Sequence, residues 1–160
     1  ELSDTQFFMP QLQRLTADDV SVQTARYEAD LVIIDYLGLM QSARPRRSRY
    51  EEITEISASL KRTAKCRGIP ILCLSQLNRE NMNTKDKRPA LSHLRDSGAV
   101  EQDADGVILL HRPEYYEEGK SGAREEIELI VAKNRHGRTG SVSMLWYGAT
   151  GIIRPIWRGK

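Results

Sequence analysis

Leu31-Val32-Ile33-Ile34-Asp35 decides how this chain is read: four apolar residues in a row, with no polar alternation, closed by one carboxylate. Such a run suits a buried strand, and in an open parallel sheet ligands bind just beyond the carboxyl ends of the strands. The pattern is that of a Walker B strand, which makes Asp35 a candidate for orienting the waters of a metal-bound nucleotide. Four aliphatics followed by Asp also occur where the Asp only caps the next helix or opens a turn. One strand later the pattern returns. Ile69 to Leu74 is a second apolar run, again suited to a strand covered on both faces, and it ends in Ser75-Gln76-Leu77-Asn78-Arg79. If the two strands are parallel neighbours, Asp35 and Gln76 emerge at one edge of the sheet. A neutral amide there can sense a γ-phosphate or position the attacking water; the alternative is a loop amide that satisfies backbone groups.

Between these runs, Ser48 and Glu51 have capping-box spacing, Ile53, Ile56, Leu60 and Ala64 recur at helical spacing, and Gly68 supplies a stop. Strand, helix and strand form a βαβ unit, whose crossover is expected to be right-handed. Upstream, Thr16 and Asp19 mark the start of a short helix that runs to about Tyr27, and Phe7-Phe8-Met9 are expected as a short strand stopped by Pro10. Downstream, Asn78 to Ser92 is a polar segment with almost no apolar residues, of a length that in a compact domain points to a functional or a mobile stretch. Ser97 to Asp103 read as a short helix and Gly106 to Leu110 as another buried strand. Ile127 to Ala132, Ser141 to Tyr147 and Ile152 to Trp157 alternate between Gly-rich turns, so they are expected as antiparallel additions to the sheet edge.

A chain of 160 residues with 39% hydrophobic and 29% charged residues has the makings of one globular domain, residues 1–160. Its 24 basic and 22 acidic residues leave a net charge of +2, which selects neither nucleic acid nor a membrane as partner. The distribution says more. Arg44, Arg46, Arg47 and Arg49 stand together without an acid, and Arg79, Lys85, Lys87, Arg88 and Arg95 face only Glu80 and Asp86. Cys66 and Cys73 have no metal-like spacing and are too few for a disulfide framework, which suits a reducing cytoplasm. No run approaches the ~18 apolar residues of a membrane helix, and no basic-then-apolar leader opens the chain. Glu1 in place of Met suggests a piece of a longer protein.

Taken together, Leu31-Val32-Ile33-Ile34-Asp35-Tyr36-Leu37-Gly38-Leu39-Met40, Leu74-Ser75-Gln76-Leu77-Asn78-Arg79, Asp86-Lys87-Arg88-Pro89 and Leu94-Arg95-Asp96-Ser97-Gly98-Ala99-Val100-Glu101-Gln102-Asp103-Ala104-Asp105 resemble the C-terminal motor domain of DnaB-type replicative DNA helicases. Order and spacing match from about Thr16 to the end. The resemblance implies an α/β, RecA-like P-loop NTPase fold, here partial, with a mostly parallel sheet and antiparallel C-terminal strands. It also implies ATP and Mg²⁺ as cofactors, a homo-hexameric ring, single-stranded DNA as substrate track, and primase and a helicase loader as partners. Carried over by position, Asp35 corresponds to the metal-orienting Walker B aspartate and Gln76 to the glutamine that couples the γ-phosphate to the DNA loops. Lys133-Asn134-Arg135 corresponds to the Lys-x-Arg element that one subunit projects into its neighbour's ATP site, with Arg135 as the finger. Arg95, Asp96 and Gly98 correspond to the loop that tracks DNA phosphates, and Arg44 to Arg49, with Arg46 and Arg47 among them, correspond to the first channel loop, the alternative for such an arginine run being a solvated face.

The pattern has departures. Gly38 stands where the family usually has Gln, and Asp96 replaces a more typical Glu. No G-x-x-x-x-G-K-[ST] loop and no catalytic glutamate of the family occur in these 160 residues. The expectation is an ATP-dependent helicase motor truncated before Glu1 and inactive alone. The alternative is a single-stranded-DNA-binding or ring-partner module without its own ATPase activity.

Overall fold

The structure, a computed structural model, describes residues 4–12, 14–44, 48–78, 87–94, 98–116 and 124–156. The chain divides into two compact units, Glu1–Gln76 with Arg95–Asp103, and Leu77–Leu94 with Ala104–Lys160.

The first unit contains α1 (Ala17–Tyr27), β1 (Val32–Ile34), α2 (Arg49–Arg67), β2 (Ile71–Cys73) and α3 (Gly98–Asp103). Local chemistry sets the helix ends. The Thr16 hydroxyl accepts the Asp19 N–H at 3.2 Å while the Asp19 carboxylate accepts the Thr16 N–H at 3.0 Å, so α1 begins with a complete capping box. The Ser48 hydroxyl accepts the Glu51 N–H at 3.2 Å to open α2, and Gly68 closes it at φ +68°, a conformation costly for any residue with a Cβ. Ile53, Ile56 and Leu60 of α2 then pack with Ala17, Val20, Ile34, Leu37 and Met40 into one core, in which Met40 and Ile56 are the largest fully buried side chains. Burial of each such side chain stabilises by about 1.5–3 kcal/mol.

β1 and β2 pair in parallel, Val32 with Ile71, Ile33 with Leu72 and Ile34 with Cys73. Their unbroken apolar runs suggested strands covered on both faces. Within these 160 residues Ile34 is buried while Ile33 and Leu72 are each 55% exposed, since α1 and α2 pack on the Ile34 face. The expected strand at Phe7-Phe8-Met9 does not form. Phe8 instead stacks on Tyr27 with ring centroids 4.4 Å apart, and Phe7 and Met9 are exposed.

The second unit holds a four-stranded sheet in the order β3 (Gly106–His111), β4 (Glu125–Asn134), β5 (Gly140–Tyr147), β6 (Ile152–Pro155), antiparallel throughout. The α/β class stands, and the strands from Glu125 on are antiparallel additions as expected, the first of them pairing with β3. Gly106 to Leu110 reads as an unbroken apolar run, yet β3 alternates, with Val107 and Leu109 buried and Ile108 and Leu110 exposed. An apolar run does not reveal the direction of its partner strand. Val107, Leu109 and Ile130 form the core here, with Leu77, Leu91, Leu94, Ala104 and Ala132 packed against them.

Candidate nucleotide and DNA site

The parallel register puts Asp35 level with Leu74, two residues before Gln76. The backbone beneath is fixed: Leu74 N–H donates to the Ile34 carbonyl at 2.9 Å, and Leu37 N–H donates to the Leu74 carbonyl at 2.8 Å. Both side chains are exposed, and the peptide joining Asp35 to Tyr36 is cis. Two exposed oxygen-bearing groups thus stand at the carboxyl end of a parallel pair, where α/β sheets bind ligands. The departure at Gly38 has a local counterpart, since a Cβ there would lie 2.3 Å from the Tyr36 ring.

Arg46 and Arg47 lie outside the described residues, but the feet of their loop are well defined. Arg49 donates to the carbonyls of Gly38 at 2.8 Å and Met40 at 3.3 Å and pairs with Glu52. The Ser42 N–H donates to Glu52 at 3.0 Å and its hydroxyl donates to Glu55. The Ser42 N–H, aided by the Arg49 guanidinium, holds the Glu52 carboxyl below its ordinary range against the opposing effect of burial. Arg49 is therefore a clamp at the loop's foot and is occupied there.

Arg95 and Asp96 also lie outside the described residues, and Gly98 begins α3 with open space around the position of a Cβ. The chain on either side of this second basic region is tied together. Leu77 and Leu94 form an antiparallel bridge, Asn78 N–H donates to the His93 carbonyl at 2.8 Å, and Ala90 N–H donates to His93 Nδ1 at 3.0 Å.

Lys133 and Arg135 sit where β4 ends. Val107 pairs with Lys133 but Ile108 with Val131, so a bulge adds one residue to β4 just before the pair. An added residue shifts the alternation of the strand and re-aims the side chains that follow. The Asn134 side chain accepts the His136 N–H at 3.2 Å and donates to the Arg138 carbonyl at 3.3 Å, which builds the turn. A Cβ on Gly137 would lie 2.7 Å from Asn134 Nδ2 and would push that side chain off the Arg138 carbonyl. Arg135 itself bonds Asp105 twice, its N–H to the carbonyl at 2.7 Å and its guanidinium to the carboxylate at 2.9 Å. With side chains 45% and 51% exposed, that ion pair is weak enough to exchange for another anion.

Reading the sequence alone did not single out Asp105, Glu125 or Glu128 as partners of cations. Charged residues at alternate strand positions look solvated until the strands are paired. The Arg112 guanidinium pairs with buried Glu125 and lies 3.7 Å over the Trp146 ring. Among the described residues no cluster of three or more His, Cys, Asp or Glu is suited to hold a metal. A single exposed carboxylate is the donor set expected for Mg²⁺, which keeps several waters and takes its remaining ligands from substrate phosphates.

An α/β unit with an exposed carboxylate and amide at the end of a parallel pair has the polar groups of a strand-end ligand site. Comparison with known proteins names the family. Residues 1–153 match the model of the DnaB-like helicase C terminal domain, and the chain belongs to that family. It is 50% identical over 118 residues to the replicative DNA helicase DnaB of Leifsonia xyli subsp. xyli, covering 74% of this chain and 26% of that protein. It is 46% identical over 131 residues to a probable plasmid replicative DNA helicase of Chlamydia psittaci, covering 80% of this chain and 28% of that protein. The chain thus spans about a quarter of the length of these curated relatives. Among solved structures, one described as an ATPase domain aligns with TM-score 0.82 and 34% identity, over 89% of this chain and 52% of that one. A DnaB-like replicative helicase described with its interactions with primase aligns with TM-score 0.82 and 35% identity, over 92% of this chain and 37% of that one. No helix among the described residues is long and apolar enough to cross a membrane.

Proposed function

We propose that this chain works within a hexameric replicative DNA helicase that couples ATP hydrolysis to 5′-to-3′ translocation on single-stranded DNA and duplex unwinding in the cytoplasm. Residues 1–160 form the part of its RecA-like ATPase domain that begins ahead of the Walker B strand. The observation that carries this reading is the parallel pairing of β1 with β2, which delivers Asp35 and Gln76 to the same sheet end.

In that reading Asp35 orients the waters of Mg²⁺ bound to ATP, and the metal supplies charge neutralisation on the phosphates. Gln76 contacts the γ-phosphate side and passes its state to the chain that follows. Lys133 and Arg135 serve the nucleotide of the adjacent subunit, where the permanent guanidinium stabilises charge on the transferring phosphoryl group. Arg95, Asp96 and Gly98, with Arg46 and Arg47 of the first loop, follow the DNA backbone through sequence-blind phosphate contacts. Primase and a loader are the expected protein partners. The test is Asp35→Asn in the intact ring: nucleotide binding is expected to persist and steady-state ATP turnover to vanish. Turnover at the wild-type rate would overturn the assignment of Asp35 and with it the nucleotide site.

A further inference from the structure

Arg88 belongs to the second basic run of the sequence, which ends at Arg95 of the DNA-tracking loop, yet it is committed elsewhere. Its Nε and Nη2 donate to the two carboxylate oxygens of Glu128 at 2.9 and 2.6 Å, a two-pronged fork onto the middle of β4. Glu128 is well covered, its side chain 18% exposed, and lies opposite His111 on β3 and Ser143 on β5. The residue after Arg88 is Pro89, buried and with a ring-fixed φ. Leu91 and Leu94 then enter the core of the second unit, and Leu94 bridges to Leu77. The limb from Arg88 to Leu94 is thus registered at both ends. Along the chain, Leu77 follows Gln76 directly, Leu94 precedes Arg95 directly, and Glu128 lies on the strand that leads to Lys133 and Arg135.

We propose that the Arg88–Glu128 pair is a positioning device that locks the entry limb of the second DNA loop to the strand carrying Arg135, so that DNA engagement and nucleotide turnover are read through one rigid piece. Arg88 is accordingly a positioning residue and makes no phosphate contact. The inference rests on the helicase reading above and deepens it. Neutralising Glu128 loosens the limb without removing any cation, whereas a DNA-contacting Arg88 would act independently of Glu128. That difference makes the proposal testable.

The experiment uses the intact ring and compares wild type, Arg88→Ala, Arg88→Lys, Glu128→Gln and the charge exchange Arg88→Glu with Glu128→Arg. Basal ATPase, its stimulation by oligo(dT), and the salt dependence of oligo(dT) binding are measured. Arg88→Ala and Glu128→Gln are expected to leave basal turnover and the salt slope unchanged and to lower stimulation alike, by about fivefold, a size typical of coupling changes. Arg88→Lys, which keeps the charge but not the fork, is expected to fall between them and wild type, and the charge exchange to restore stimulation. A salt slope reduced by about one in Arg88→Ala but not in Glu128→Gln would make Arg88 a phosphate contact and overturn the proposal. Lowered thermal stability with unchanged stimulation in the single variants would also overturn it, as a merely structural pair. A wild-type ring with no DNA-stimulated ATPase would instead count against the helicase reading.

Discussion

At the ends of β1 and β2, Asp35 and Gln76 stand exposed over a fixed backbone, whereas in the antiparallel sheet the cations meet carboxylates: Arg112 on Glu125, Arg88 on Glu128, Arg135 on Asp105. The three carboxylate side chains are 6%, 18% and 51% exposed in that order. Burial strengthens an ion pair's hold on geometry and makes its loss costly, while exposure makes it exchangeable. The three pairs therefore grade from a buried structural one to an exposed, exchangeable one. The polar groups at the end of the parallel pair are open to solvent, whereas the cations beside the antiparallel sheet are held by carboxylates.

The sharpest way to break that comparison is Arg135→Ala in the intact ring. Loss of a finger arginine is expected to lower ATP turnover by roughly 10³-fold or more while nucleotide binding persists. Unchanged turnover would leave Arg135 as one more structural cation. Next comes a paired measurement of unfolding in urea. Glu125→Gln is expected to cost about 2–3 kcal/mol, as the covered Arg112 guanidinium keeps an acceptor but loses the charge opposite it, and Asp105→Asn less than about 0.5 kcal/mol. Equal costs would erase the grading.

A pH series sharpens the middle of the gradient. The Arg88 hydrogen bonds hold the Glu128 carboxyl below its ordinary value of 4.5, against the opposing effect of burial. A depressed folded-state pKa stabilises the fold above the unfolded value, and that contribution is lost as pH falls through the folded value. The stability advantage of wild type over Glu128→Gln, by chemical denaturation, is therefore expected at pH 7 and to shrink below about 4.5; an advantage constant down to about pH 2.5 would contradict the pairing. The smallest effect belongs to the first unit. Burial pushes the Cys73 thiol up from 9.0 to about 11, and Cys66 is exposed on the last turn of α2. Iodoacetamide at about pH 8 is expected to label Cys66 first, because the thiolate is the reacting form; prior labelling of Cys73 would show that β2 is more open than its packing implies.

Helix boundaries were the most legible part. α1 and α2 begin and end within a residue or so of the capping signals at Thr16, Ser48 and Gly68, because caps are contacts between near neighbours in the chain. Asp35 and Gln76 were legible for a related reason: an apolar run followed by a polar residue marks a strand end wherever the strand lies. Which face of β1 and β2 the helices α1 and α2 cover was not legible, since an unbroken aliphatic run carries no alternation to mark it. Nor was the commitment of Arg49 to the Gly38 and Met40 carbonyls, which made one of four clustered arginines a clamp. Clustered arginines look alike until the fold chooses partners.

The sequence by itself determined the element types, the polar groups at the strand ends and, through the blocks from Leu31 to Asp105, the family. Only the tertiary structure decided the register of β4 on β3, the bulge that re-aims Lys133 and Arg135, and which carboxylate each cation meets. Arg88 and Glu128 are 40 residues apart and Arg135 and Asp105 are 30 apart. Partners so distant are brought together by strand register and core packing, which depend on the whole chain and leave no mark in any local window.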